Sequence, residues 1–167
     1  MKNILHFLLL TITFSLFSQD KITDTIQGTK QNLDEVIVQS IRVKYSSPIT
    51  HSNISKTELS LRNLGQDLPI LLNFLPSVVT TSDAGTGVGY TGIRIRGVSA
   101  QSTNITINGI PFNDTESLGT YWVNLPDFTS SIQSLQVQRG VGTSTNGSGA
   151  FGASINILTD DISEDPY

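Results

Sequence analysis

The sequence predicts an α+β chain: a small mixed sheet with short helices and long glycine-rich loops. Three observations carry this reading. Two helix starts are written between residues 55 and 70, four short alternating segments follow residue 90, and twelve of the fourteen glycines lie at or beyond Gly85. Glycine at that density marks tight turns and close backbone approaches.

Taken in order, the chain begins with Lys2 ahead of a run over residues 4–17 that is apolar apart from His6, Thr11, Thr13 and Ser15. The run is short of the roughly 20 residues a membrane-spanning helix needs, and Ser18 follows it as a small residue. Residues 1–18 therefore read as a signal peptide cleaved after Ser18; a retained anchor or buried helix is the alternative. Residues 19–48 read as a flexible N-terminal segment, because residues 19–32 are too polar to order themselves. Within it, Asp34 and Glu35 precede the β-branched Val36, Ile37 and Val38, a strong strand former in flexible surroundings. Such a segment suits addition to another protein's sheet edge. It also suits the first strand of this chain's own domain, and composition leaves both open.

Ser55-Lys56-Thr57-Glu58 fits a capping box and predicts a short helix ending near Gly65. Asp67-Leu68-Pro69 reads as a second helix start, with Ile70, Leu71, Phe74 and Leu75 as its apolar face and Pro76 as its stop. Val78-Val79-Thr80 follows as a brief strand. Residues 93–96, 104–107, 134–139 and 153–158 alternate as strands with one face buried. Asn108-Gly109 fits a type I′ hairpin turn, which pairs residues 104–107 with 110–112. Residues 160–167 read as an acidic tail, solvated rather than calcium-binding, since the EF-hand glycine and oxygen spacing are missing.

Composition excludes several classes. The chain has 167 residues, 37% hydrophobic and 14% charged, with a net charge of −4 and no cysteine. An acidic chain is a poor partner for a phosphate backbone, so no nucleic acid is expected. Without cysteine there is no disulfide, thiolate zinc site or cysteine nucleophile. The charged fraction lies well below the about 25% usual for a globular domain, which suits a chain packed inside something else.

Two stretches match G-x-G-x-x-G, at residues 87–92 and 147–152, but each leads into a strand where a dinucleotide fingerprint must open a helix. The run 142–148 has phosphate-loop spacing with Ser148 where lysine should stand. His51 is the one histidine after the signal and stands in a polar linker, so no triad or histidine cluster is available. No enzyme and no cofactor are expected. Four N-x-S/T sites, at Asn53, Asn104, Asn113 and Asn146, matter in a glycosylating compartment alone. The strands, half the length a membrane barrel needs, do not span a bilayer by themselves. Arg94 and Arg96 are expected on one side of a strand, with Arg139 ending another before Gly140. Such a face either meets carboxylate partners or is simply solvated.

Ile93-Arg94-Ile95-Arg96-Gly97, Ile105-Thr106-Ile107-Asn108-Gly109-Ile110-Pro111, Leu125-Pro126-Asp127, Gln138-Arg139-Gly140 and the glycine-rich run 147–159 together resemble the plug domain of TonB-dependent outer-membrane receptors. The order and spacing agree over residues 49–159. The resemblance implies that Asp34, Glu35, Val36, Ile37 and Val38 form the energy-coupling segment that pairs with the periplasmic TonB protein. It implies that Arg96 and Arg139 meet glutamates on the wall of an outer-membrane β-barrel. It makes the loop over residues 112–124, with Tyr121 and Trp122, the candidate substrate-facing element, although aromatics there are also often plain packing. The implied partners are TonB, the barrel and a small ligand such as a ferric siderophore, haem, cobalamin or glycan. The implied function is gating of active uptake, in the outer membrane as part of a receptor, or as a free periplasmic ligand- or TonB-binding adaptor domain. Because such receptors continue into a barrel of about 22 strands, the sequence is expected to be a truncated product or gene fragment. An isolated plug with both arginines unpaired is expected to be marginally stable or mobile in its glycine-rich half.

Overall fold

The computed structural model describes residues 41–161 apart from 143 and 148. Strand β1 (His51–Ser55) runs straight into helix α1 (Lys56–Ser60), and α2 (Leu68–Leu71) follows. Then come β2 (Val78–Ser82), β3 (Thr91–Ile95), β4 (Thr103–Ile107), β5 (Ile110–Pro111), β6 (Ile132–Arg139) and β7 (Ala153–Thr159). Five strands form one sheet in the order β1-β6-β7-β4-β5, while β2 and β3 make a separate antiparallel pair. The larger sheet is mixed, because β4 and β7 are parallel and every other pairing in it is antiparallel. This is the α+β fold with short helices that the sequence predicts.

The capping box is present in both halves. The Glu58 amide donates to Ser55 Oγ and the Ser55 amide donates to Glu58 Oε2 at 2.9 Å. Regular helix stops at Ser60, yet the Asn63 amide still reaches the Leu59 carbonyl at 2.9 Å and the chain reverses at Gly65 with φ +74°. The reversal falls where glycine was expected to place it. Helix α2 is shorter than its apolar run suggests; of the expected face Leu71 and Leu75 are buried, and Leu68 and Leu72 join them in place of Ile70 and Phe74. Ile70 is half-buried and Phe74 is turned outward beneath Arg62, whose guanidinium lies 3.9 Å from the ring centroid. The spacing from Leu68 is i, i+3, i+4, i+7, one register away from the expected stripe.

Asn108 and Gly109 both have positive φ, at 50° and 83°, as a type I′ turn demands. Strand β1 was not foreseen. Its one core residue is Ile54, and it exists as an edge strand because β6 pairs with it from His51↔Gln138 to Ser55↔Ser134. His51 thus starts a strand and does not stand in a linker.

One apolar cluster fills one side of the sheet. Ile54, Ile105, Leu135, Val137, Ala153, Ile155 and Ile157 project from the strands, and Leu59, Leu68, Leu72, Leu75, Ile93, Ile95 and Trp122 close over them. The expectation that each strand buries one face fails at β6 and β7. Their alternate residues Gln136, Gln138, Ser154 and Asn156 are also buried, between 0% and 2% exposed. These two strands are central, and residues 41–43 cross their second face, so the folded unit includes residues ahead of position 49.

Candidate functional site

Two arginine turns meet at one end of the sheet. β3 ends at Ile95, and Arg96-Gly97 form a tight turn with φ of 57° and 74°, closed by a bridge between Ile95 and Val98. Arg96 therefore does not share a strand face with Arg94, as its alternation suggested. Its own backbone twist carries it away, held by its amide donating to the Ser77 carbonyl at 2.8 Å.

The second turn follows Arg139, where Gly140 has φ +97°. A Cβ at Gly140 would stand 2.6 Å from Arg96 Nη1, so the guanidinium rests on bare backbone, and the positive φ of that residue favours glycine. Arg139 donates to Ser52 Oγ at 2.8 Å and to the His51 carbonyl at 3.4 Å. Burial, and then the neighbouring Arg96 charge, hold its guanidinium below the ordinary arginine value. Two like charges are brought together with no carboxylate of the described residues at either. Among the described residues the ion pair is elsewhere, Lys56 with Asp160 at 2.5 Å. The arrangement places two cationic side chains next to each other, the Arg96 one exposed and the Arg139 one half-buried.

The loop over residues 112–124 is tied down by its own polar side chains. Asn113 accepts from the Ile105 amide and donates to the carbonyls of Thr103 and Leu118. The Asp114 carboxyl accepts from the Ser117 amide at 2.7 Å and from its hydroxyl, which lower its pKa. Tyr121 is 48% exposed and donates to Ser117 Oγ. Trp122 is 3% exposed in the apolar cluster, so its ring packs and does not face outward. Its backbone enters a 3-10 turn that swings the side chain under the sheet. Asp34, Glu35, Val36, Ile37 and Val38 lie outside the described residues.

The sheet's second face carries a polar cluster that alternation alone reads as a solvated surface. Gln136 and Gln138 bind the backbone of residues 41–43, and Thr106 donates to Asn156 Oδ1 at 2.8 Å. Beside them lies a cavity of about 300 Å³ lined by Ile41, Asn104, Thr106, Asn113 and Asn146 among others. A run of polar residues at strand period gives no sign of whether water or protein lies over it, which is why these residues were missed.

The family model described as the TonB-dependent Receptor Plug Domain matches residues 43–154. The chain is 29% identical over 144 residues to the probable TonB-dependent siderophore receptor PirA of Acinetobacter baumannii, covering 80% of this chain and 18% of that protein. It is 31% identical over 132 residues to the vitamin B12 transporter BtuB of Vibrio vulnificus, covering 77% of this chain and 21% of that protein. The crystal structure of the Acinetobacter baumannii siderophore receptor PirA superposes with a TM-score of 0.54 at 27% identity, over 68% of this chain and 17% of that one. The chain thus spans about a fifth of the length of the curated relatives it matches. With its mixed sheet, its two arginine turns and a family match over most of its length, the chain belongs to the TonB-dependent receptor plug domain family.

Proposed function

We propose that this chain is the gating plug of an active transporter that takes up a scarce ligand, such as a siderophore–iron complex, across the bacterial outer membrane. The observation that carries the reading is the junction of Arg96 and Arg139: two adjacent guanidinium groups, one with part-buried neutral partners and the other exposed, and no acid at either among the described residues. Such a pair is costly in isolation and favourable against paired carboxylates. A surrounding barrel wall bearing glutamates supplies them, seating the plug in one orientation. The gate performs no bond chemistry. Asp34, Glu35, Val36, Ile37 and Val38 serve as the coupling segment, which adds as a strand to TonB and transmits its pull. The relatives named for siderophore receptors and a B12 transporter support a small, scarce ligand as the cargo, and Tyr121 on the anchored 112–124 loop remains the candidate to touch it.

Two measurements test this. Ile37→Pro removes a ladder donor and fixes φ, so it abolishes capture of the full chain by the periplasmic domain of TonB in a pull-down. Unchanged capture removes the coupling assignment. Fractionation of cells producing the chain with its barrel places it in the outer membrane; recovery from the soluble periplasm removes the transporter reading.

A further inference from the structure

We propose that residues 41–43 are a hydrogen-bonded strap across the polar face of the sheet, poised to lift while the apolar core on the other face stays folded. The sheet register places Asn53, Gln136, Asn156 and Thr106 in one row across that face, and His51, Gln138, Ser154 and Asn104 in the next. The strap runs lengthwise over β6 in the opposite direction. Ile41 accepts from Gln138 Nε2 at 3.1 Å; Val43 donates to Gln136 Oε1 at 2.7 Å and accepts from Gln136 Nε2 at 3.0 Å. Between them Arg42 donates to Ser134 Oγ, to the Ser134 carbonyl and to the Asn156 carbonyl.

The two glutamines belong to an amide relay. Asn146 donates to Gln138, Gln138 to Gln136, and Gln136 to Asn53, at 2.8, 3.0 and 2.6 Å. Every polar atom of the Gln136 amide is thereby used twice over, so the strap can sit in one register alone. The hydrogen bonds set the strap's register by direction, while its Ile41 and Val43 side chains add buried apolar area at 9% and 7% exposed.

The same face is incompletely satisfied. Arg42 Nε, Ser154 Oγ, Asn156 Nδ2 and Asn146 Oδ1 are buried without a partner. Arg42 is a part-buried cation whose contacts are neutral oxygens, and burial lowers its pKa. Lifting the strap lets water reach these groups and replace each hydrogen bond it breaks, whereas water offers nothing to the core face. Ile41 also borders the cavity of about 300 Å³, which Asn104, Thr106 and Asn146 line. Withdrawal of the strap therefore extends that cavity along an uncharged surface of amides and hydroxyls. Among the described residues, the Gln138 bond to Ile41 is the first to take load from a pull on the chain ahead of residue 41.

This deepens the gating reading, on which it rests for what does the pulling. Its test needs no TonB, so the strap can stand while the pull-down above fails, or fall while it succeeds. The chain has no cysteine, so a single introduced thiol reports one place. Ser154 and Val137 are both 0% exposed on neighbouring strands, the first on the polar face and the second in the core. In the full chain, Ser154→Cys is expected to react with a small maleimide about tenfold or more faster than Val137→Cys. Adding Gln138→Ala is expected to raise the Ser154→Cys rate by about another tenfold and leave the Val137→Cys rate unchanged. Equal rates at the two positions, with and without Gln138→Ala, overturn the strap, because the polar face then opens only with the whole fold. Should either cysteine variant fail to fold, amide exchange of the unsubstituted chain decides. The Val43 amide exchanging well ahead of the Ile155 amide supports the strap, and matched protection overturns it.

Discussion

At β6 and β7 the two faces of the five-stranded sheet are buried to the same degree and built from opposite chemistry. On one, Leu135, Val137, Ala153, Ile155 and Ile157 are at most 1% exposed in an apolar cluster. On the other, Gln136, Gln138, Ser154 and Asn156 are at most 2% exposed beneath a strap held by hydrogen bonds. Apolar burial is non-directional and scales with area, so it holds the strands together without choosing what lies above them. Amide pairing is directional, so it chooses one occupant in one register, and it exchanges that occupant for water at small net cost. A gate benefits from both: a face that persists and a face that can be uncovered.

The comparison breaks most readily at Ile155. Ile155→Ala is expected to destabilise the chain by about 2–5 kcal/mol in urea denaturation, from lost transfer energy plus the cavity left in the cluster. A loss no greater than that of the polar-face variants would make the two faces equivalent. On the polar face, Gln136→Leu leaves the Val43 amide and carbonyl without partners and is expected to cost about 1–3 kcal/mol. Gln136→Glu sharpens the point through pH. A buried carboxylate there donates to neither the Val43 carbonyl nor Asn53 Oδ1, whereas the protonated carboxyl keeps one O–H donor, so its folded-state pKa lies above its unfolded one. Its stability is then greatest below the unfolded pKa and falls as pH rises through the folded one, so denaturation at pH 4 shows a smaller deficit than at pH 7.

Ser55→Ala, at the junction of β1 and α1, is expected to cost about 1 kcal/mol through the lost cap. Glu58 is held below the usual carboxylate range by the Ser55 amide and then by its hydroxyl. Its contribution is present above the unfolded pKa and is lost as pH falls through the lowered folded one. Removing the Ser55 hydroxyl should therefore flatten that part of the acid limb of a stability profile. The smallest effect is expected from Ser154→Ala, within about 0.5 kcal/mol, because the hydroxyl it removes is buried without a partner. A large loss there would mean that the polar face is satisfied more fully than its geometry shows.

Legibility followed distance along the chain. The capping box at Ser55 and Glu58 and the turn at Asn108-Gly109 were readable because each joins groups within three residues, whose dihedral preferences do not depend on what packs over them. The α2 stripe was read one register off, since Phe74 has the composition of a core residue and only Arg62 stacking above it explains why it turns outward. Arg96 looked like a strand residue because alternation runs through it, while Gly97 and the backbone of Ser77 twist it into a turn. Trp122 looked like a loop aromatic and is a core residue, because the chain folds its turn beneath the sheet. The alternating glutamines of β6 looked solvated for the same reason that any polar strand face does.

The sequence by itself determined the local punctuation of this protein: where helices start, where hairpins turn, where glycine frees the backbone, and through its ordered motifs the plug family. Tertiary structure alone decided that Arg96 lies against Gly140 beside Arg139, that Gln136 and Gln138 are buried, and that residues 41–43 cover them. Those contacts join positions 43 to 97 residues apart. No local pattern signals them, because at such separations a side chain's surroundings are set by how the strands are ordered in the sheet, with β1 and β7 flanking β6, and not by its neighbours in the chain.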